Sequence, residues 1–551
     1  MKSKTFTEEE LNSVSKEMVI KMYLQLAESF EKMTIQLENL TEQVAILTQQ
    51  RFGRKTEKAS AMTSDQITMA DILPDDMKDV LNEAEATADD SAKEPEMETI
   101  LYRRRKRVGK RSEDISQLEV VVDETITLPE DELNALFPDG YRRLPDEVYH
   151  EVEYVPARLL VHEKHIAVYA GKNDTGIVKA NRPERLLKNS LLTSSLAAGV
   201  IEAKYVNHIP LNRLSEDFRR KDFEISRQVL ASWMIQLTER YLRVVYEHMK
   251  KVLLTSKLIH CDETPFTVVK NGRGPNSKDY MWVYHTCEKY DCPPIYLYAY
   301  DDGKRDTETL KKFLGDYSGI VMTDGYQVYH TAAKERPDHL TVAGCWVHAK
   351  RKYAEYVKGV GTEGFRGNIA EEGVKRIQAI YHIENMVKGK DKTYKPTEEE
   401  ILRNRQILVK PLVDSYFEWV KSVAANPLVD KGSKVMSAIT YSINQEQFLR
   451  EFLDNPIIPL DNNEAEASVR SFCVGKHSWH IIATKKGAGS SAILYSIAET
   501  AKANNLKTFD YFQYLLEQLL LHLDDSPAEY LDDLMPWSKK LPDCCRKTKC
   551  K

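Results

Sequence analysis

The stretch "LIHCDETP", residues 258–265, decides how this chain is read. An apolar run carries a carboxylate, Asp262, to its end, and the run predicts a central β-strand. The next apolar run to finish on an aspartate is "GIVMTDGY", where residues 319–323 lead into Asp324. A third carboxylate cluster, "PLDNNEAEASVR", is expected to open a helix at Asp461. Two strand-end aspartates and a later helical glutamate can form a cage of oxygen ligands for two hard cations. Mg²⁺ suits such a cage because it takes one or two protein carboxylates and leaves room for phosphate oxygens. The reaction that uses it is in-line displacement at phosphorus.

Between these acids the order of elements is informative. After the first strand, residues 280–286 ("YMWVYHT") and 295–300 ("IYLYAY") are aromatic and β-branched enough for two more strands. Residues 307–314 fit a short helix, 319–323 a fourth strand and 341–346 a fifth, followed by a helix from about Val347. Three strands, helix, strand, helix, strand, helix, with acids after the first and fourth strands, resembles the ribonuclease-H-like layout.

The chain resembles the insertion-sequence 66 family of bacterial DDE transposases over nearly its whole length. The matching pieces, in order, are "RFGRKTEK" at Arg51, "EYVPARLLVHEK" at Glu153, "HCDETP" at His260 and "TDGY" at Thr323. "GCWVHAKRKY" at Gly344, "PLDNNEAEASVR" at Pro459 and the tail "YSIAETAKANNLKTFDYFQYLLEQL" complete the set. The resemblance implies cleavage and joining of DNA at element ends, with Asp262, Asp324 and Glu466 as catalytic metal ligands for two Mg²⁺ or Mn²⁺ ions per site. It also implies double-stranded DNA partners (terminal repeats and target), accessory proteins of the same element and a place near the bacterial nucleoid. Two features depart from the family pattern. Residues 113–185 lack the cysteines of its zinc-finger-like segment, so no zinc is expected, and Ala467 stands where an Arg commonly follows the glutamate.

Length and composition set the frame. A chain of 551 residues with 42% hydrophobic and 29% charged content has room for several domains and an ample core. No apolar run reaches the ~18 residues of a membrane span, and the N-terminus "MKSKTFTEEE" lacks a signal peptide's apolar stretch. Scattered cysteines suit a reducing cytoplasm. A net charge of −6 means that nucleic-acid binding has to rest on local basic patches.

In chain order, Tyr23, Leu26, Phe30, Met33, Leu37, Leu40, Val44 and Leu47 recur at alternating spacings of three and four, the period of a coiled-coil seam. A helix packed on its own domain would show a similar stripe, but the polar residues on the other faces favour self-association into a homo-oligomer. Residues 65–98 are acidic and Pro-punctuated and read as a disordered linker. Next, Arg103, Arg104, Arg105, Lys106, Arg107, Lys110 and Arg111 place seven basic residues in nine. A charge run is often only a solvated face, yet counterion release makes this one a good DNA anchor. Residues 119–180 are β-patterned. "PLNRLSEDFRRKDFEISRQVLASWMIQL" then predicts a helix, a turn, and a second helix capped by Ser226, with Arg227 and Gln228 where a helix-turn-helix reads base edges. Two consecutive helices without DNA contact are the plainer alternative.

Within the catalytic region, Glu263 is expected on the opposite strand face from Asp262, as a supporting or solvent-facing group. Asp301, Asp302 and Asp306 read as turn and cap residues. Cys345 and His348 form a Cys-x-x-His pair, conceivable as a zinc half-site, for which the resemblance to DDE transposases implies a structural or site-supporting role. Lys350, Arg351 and Arg470 are candidate phosphate contacts, and Lys485 and Lys486 in a Gly-rich turn are two more. The interval from Asp324 to Glu466 is more than twice that between the aspartates, so a helical insertion is expected, to hold DNA or a partner subunit. Among the acids of "DNNEAE", Asp461 and Glu464 resemble a capping box, which leaves Glu466 as the third ligand.

The expected architecture is multidomain α+β. It comprises a coiled coil (1–58), an acidic linker with the basic run (59–112), a small β-rich domain (113–185), a helical DNA-binding region (186–250), a ribonuclease-H-like α/β core (251–365), a helical insertion (366–455), and a completion of the core with the glutamate helix (456–551). The expected function is that of a DNA transposase. The alternatives are a catalytically silent DNA-binding descendant and a nuclease that cuts without joining.

Overall fold

A computed structural model describes residues 158–170, 177–179, 181, 183–274, 277–365, 368–389, 395–523 and 525–547, together with Asp131. The heptad seam at 19–47, the acidic linker, the basic run at 103–111 and most of the small β-rich domain lie outside the described residues. Of that last region the structure describes a short antiparallel pair, Val168–Ala170 with Ile177–Lys179.

Four helices lead into the sheet: α1 (Ser194–Ile201), α2 (Leu211–Arg220), α3 (Arg227–Leu237) and α4 (Arg243–Leu253). Thr193 caps α1 by accepting the Leu196 N–H, and Ser226 caps α3 by accepting that of Val229, as its sequence predicts. π-helical turns, Glu202–Val206 and Thr238–Leu242, extend α1 and join α3 to α4.

The central sheet has five strands: β1 (Leu258–Phe266), β2 (Asp279–Thr286), β3 (Ile295–Ala299), β4 (Gly319–Thr323) and β5 (Leu340–Gly344). Their order is β3-β2-β1-β4-β5. The β1–β2 and β2–β3 pairs are antiparallel, whereas β1–β4 and β4–β5 are parallel. The parallel half needs crossovers, and α5 (Thr307–Leu314) and α6 (Gln327–Glu335) supply them. Asp306 starts α5 by accepting the Thr309 N–H.

Helices cover both faces, which is why β4 reads as a nearly unbroken apolar run. Alternate residues sort between two cores. Ile259, Cys261, Val321 and Val342 join one with α1 and α3, whereas Leu258, Ile320, Met322 and Ala343 join the other. The second core is built from the segment after β5: α7 (Trp346–Phe365), α8 (Ile369–Val387), α9 (Glu398–Asn404), α10 (Lys410–Ala425) and α11 (Lys434–Arg450). Trp346, Tyr416, Ile439 and Leu449 are its buried centre. The segment between β5 and α12 is helical, as its pattern predicts, and it forms one of the sheet's two covering layers. Its fit to the sheet is close: a Cβ on Gly344 would come within 3.3 Å of Leu449 and Phe448.

This segment also closes on itself. The Trp346 N–H donates to the Leu460 carbonyl at 2.9 Å, so the chain returns to the end of β5. It then enters α12 (Asn463–Trp479), α13 (Lys485–Ala503), α14 (Thr508–Leu521) and α15 (Pro527–Leu534). An edge strand exposes unpaired backbone groups, and α13 meets those of β3. Ser496 and Thr500, one helical turn apart, accept the N–H groups of Tyr298 and Tyr296 at 2.8 and 3.0 Å.

Three expectations need correction. The fifth strand ends at Gly344 and Trp346 already belongs to α7, since an apolar run cannot by itself mark where a strand gives way to a helix. No Gly-rich turn precedes α13. Thr484 caps that helix through the Gly487 N–H, and Lys485 pairs with Asp302 at 3.1 Å. Asp461 is not the cap residue expected from the sequence, because Asn462 occupies the cap position of α12.

Candidate active site

The site begins with the register of two neighbouring strands. Parallel pairing of β1 with β4 runs from Leu258 and Ile320 to His260 and Met322. Carried two residues further, the same register sets Asp262 opposite Asp324. Asp262 does not end its strand as the sequence suggested. β1 continues to Phe266, and Asp262 pairs with Val283 of β2. What ends beside Asp262 is β4, so the aspartate stands where β1 loses one neighbour.

Each aspartate is held by backbone. One Asp262 oxygen, Oδ1, accepts the Glu263 N–H at 2.8 Å. In Asp324, Oδ1 accepts the Tyr326 N–H at 3.0 Å and the Thr323 hydroxyl at 3.3 Å. The turn that follows needs Gly325, whose φ is +92° and whose missing Cβ leaves room for the Gln445 side chain. From α11, the Tyr441 hydroxyl donates to the Asp324 carbonyl at 2.5 Å and Gln445 to that of Gly325 at 3.3 Å. The helical segment thus grips the loop that carries the second aspartate.

Glu263 does not face solvent, because helices cover the opposite sheet face as well. Its side chain is 1% exposed and ion-paired with Arg305, whose Nε donates at 2.8 Å. The Tyr329 hydroxyl donates to its other oxygen at 2.8 Å. Burial, reinforced by the charge of Asp324, pushes the Glu263 carboxyl up to about 7 against the pull of Arg305 and Tyr329. Arg305 in turn lies over the Tyr326 ring at 3.8 Å. Sequence reasoning missed Arg305. The available signal was a buried carboxylate beside Asp262 that required a cation.

Helix α12, whose backbone includes residue 466, is anchored on β1, although the side chains of 464–467 lie outside the described residues. Asn462 fixes where the helix starts. Its Nδ2 donates to the Cys261 carbonyl at 2.9 Å, and its Oδ1 meets His260 Nδ1 at 2.6 Å. Its backbone N–H donates to Cys345 Sγ at 3.2 Å. Further along, Lys476 donates to the Pro265 carbonyl and Thr264 meets Cys473 Sγ. Arg470 is exposed.

The other candidates separate. Cys345 is buried against Asn462, while His348 Nε2 lies 3.0 Å from Arg351 on α7. Lys350 and Arg351 are 6% and 8% exposed, so they are packed inside the fold and not on a solvated face. Burial also lowers the Lys350 ammonium pKa. Arg227 and Gln228 stand exposed in the first turn of α3. The α2–α3 turn that presents them is tight, with Asp222 at φ +60° and the Ser215 hydroxyl donating to the Ile225 carbonyl at 2.5 Å. Among the described residues, which leave out the 466 side chain, no three His, Cys, Asp or Glu side chains form a group that could hold a metal ion. None of the helices there is long and apolar enough to cross a membrane.

Comparison with known proteins gives these geometries a family. Residues 39–99 match "Transposase C of IS166 homeodomain", and residues 496–537 match "IS66 C-terminal element". The uncharacterized protein y4qI of Sinorhizobium fredii is 27% identical over 402 residues, covering 71% of each chain. The uncharacterized protein y4jD of the same organism is 22% identical over 526 residues, covering 94% of this chain and 97% of that one. Residues 189–490, which hold the sheet, both aspartates, the helical segment and α12, match the family described as "Transposase IS66 family", and the chain belongs to that family.

Proposed function

We propose that this protein is a DDE-type transposase that cleaves and joins the DNA ends of an insertion element, with Asp262, Asp324 and Glu466 as its catalytic carboxylates. The observation that carries this reading is the shared register of β1 and β4, which, extended two residues past its last pair, puts Asp262 level with Asp324, with α12 anchored on β1 itself. The sheet order, with two antiparallel turn-backs before a parallel half, supports a ribonuclease-H-like core.

The donors fit hard divalent cations. Both candidate aspartates offer carboxylate oxygens and accept backbone N–H groups, and such hard oxygen donors suit Mg²⁺ or Mn²⁺, with two ions per site proposed from the family resemblance. Bound there, such ions supply charge stabilisation at the phosphoryl group and an activated water or 3′-hydroxyl. The chain's own share is orientation. Backbone donors set each aspartate, and Glu263 with Arg305 and Tyr329 fills the space behind them.

Double-stranded DNA, as terminal repeats and as target, is the proposed partner. Exposed Arg227 and Gln228 support base contact by α3, exposed Arg470 supports phosphate contact near the site, and the basic run Arg103–Arg111 adds a non-specific anchor. The burial of Lys350 and Arg351 supports a packing role for that pair.

Glu466→Gln is expected to stop end cleavage in Mg²⁺, and Glu464→Gln to leave it near wild type. Labelled element ends, followed for cleavage and for joining to a second duplex, test both variants. Exchanged outcomes would move the third ligand to Glu464. Cleavage without joining would favour the nuclease alternative, and neither activity the silent descendant.

Pairing two ends calls for more than one subunit, and the heptad seam supports a homo-oligomer, alongside accessory proteins of the same element. A Leu37→Glu/Leu40→Glu double variant is expected to lower the mass measured by light scattering, because both leucines lie on the seam. An unchanged mass would mean that the helix packs within its own chain.

A further inference from the structure

We infer that Asn462 and His260 form a positioning latch that sets the acid-bearing helix α12 against the aspartate-bearing strand β1. This rests on the proposed transposase site, and it assigns roles to residues outside the three carboxylates. Asn462 stands at the N-cap of α12, where Asn ordinarily accepts a backbone N–H of the first turn. It makes no such bond. The fully buried side chain is turned to the sheet instead, and Asp461 accepts the Asn463 N–H at 3.3 Å in its place.

Donor and acceptor roles follow along the chain of contacts. The Asn462 amide nitrogen donates to the Cys261 carbonyl, so its Oδ1 is the acceptor and His260 Nδ1 must carry the proton. His260 Nε2 is then an acceptor and takes the Tyr290 hydroxyl at 3.0 Å. Asn462 also donates its backbone N–H to Cys345 Sγ at the end of β5. A single residue thereby ties α12 to β1 and β5 at once. His260 lies two residues before Asp262, and residue 466 lies one turn beyond Asn462, about 6 Å along the helix axis. A shift of the latch therefore moves the third acid relative to the first.

Purified full-length protein carrying Asn462→Ala, His260→Gln or His260→Asn tests this. Asn places its amide near Nδ1 of the replaced imidazole and keeps the Asn462 bond. Gln reaches the Nε2 position and keeps only the Tyr290 bond. Each variant is measured for melting temperature, Mn²⁺ affinity by titration without DNA, affinity for element-end DNA, and cleavage rate. Asn462→Ala and His260→Gln are expected to bind Mn²⁺ about tenfold more weakly and cleave at least about tenfold more slowly, with unchanged DNA affinity. His260→Asn is expected to recover most of both. Equal behaviour of the two His260 variants, or wild-type Mn²⁺ affinity in Asn462→Ala, would overturn the latch. Asp262→Ala and Asp324→Ala run in parallel, and normal cleavage by either would overturn the site and the latch together. Their failure to cleave beside a normal Asn462→Ala would overturn the latch alone.

Discussion

Replacing Asp262 or Asp324 by alanine is expected to abolish strand cleavage while leaving DNA binding measurable. Each substitution removes one of the two carboxylates that the β1–β4 register, extended past its last pair, puts level with each other. The charge stabilisation that metal ions give to phosphoryl transfer is worth several kcal/mol, so the expected loss is about a thousandfold or more in rate. Binding should persist, because Arg227 and Gln228 are presented by α3 and the basic run lies further upstream. End cleavage and gel-shift affinity, measured side by side in Mg²⁺ and in Mn²⁺, check both halves. Normal cleavage by either variant would remove that aspartate from the site.

Arg405→Ala is expected to produce the largest loss of stability. Arg405 sits in the π-helical turn Arg405–Val409 between α9 and α10 and is 0% exposed. It donates to Glu384 through Nε and Nη2, the latter at 2.6 Å. It also donates to the carbonyls of Phe452, Asn455 and Ile458, in the stretch that leads into α12. Removing the guanidinium leaves Glu384 buried with Lys388, at 3.4 Å, as its remaining cation among the described residues, and three carbonyls lose a donor. Breaking a buried ion pair from one side costs about 3–5 kcal/mol. The urea midpoint should fall accordingly. An Arg405→Met/Glu384→Gln double variant should recover part of that loss, because it no longer buries an uncompensated charge. An unchanged midpoint in Arg405→Ala would mean that Glu384 finds another partner.

Much of the core was legible in the sequence because its signals are local. The strand Gly319–Thr323 and the helix Thr307–Leu314 fall where periodicity and the Asp306 cap place them. The end of β1 was not legible. The apolar run suggests an end at Asp262, yet the strand runs on through Pro265, at a point where β4 has already ended and Pro is better tolerated. Nor was the surrounding of Glu263, since Arg305 and Tyr329 reach it from elements far along the chain. Asn462 shows the same limit. A run of Asn and Asp before a helix predicts a cap, and only the packed fold turns that side chain toward His260 and Cys261. The helices between β5 and α12 were visible as helices, but their covering of a sheet face depends on contacts that no local pattern encodes.

The chain leaves the sheet at Cys345 and rejoins it at Asn462, one hydrogen bond away. Such a closed detour separates length from geometry, since each doubling of a loop adds only about 0.6 kcal/mol of closure entropy. It also imposes an order in time. Synthesis delivers the N-terminal part first, so both aspartates emerge long before Asn462 does. A nascent or prematurely terminated chain that stops inside the detour has all five strands and no acid helix. If the protein cuts DNA with Glu466 as proposed, a chain that stops inside the detour is expected to lack cleavage.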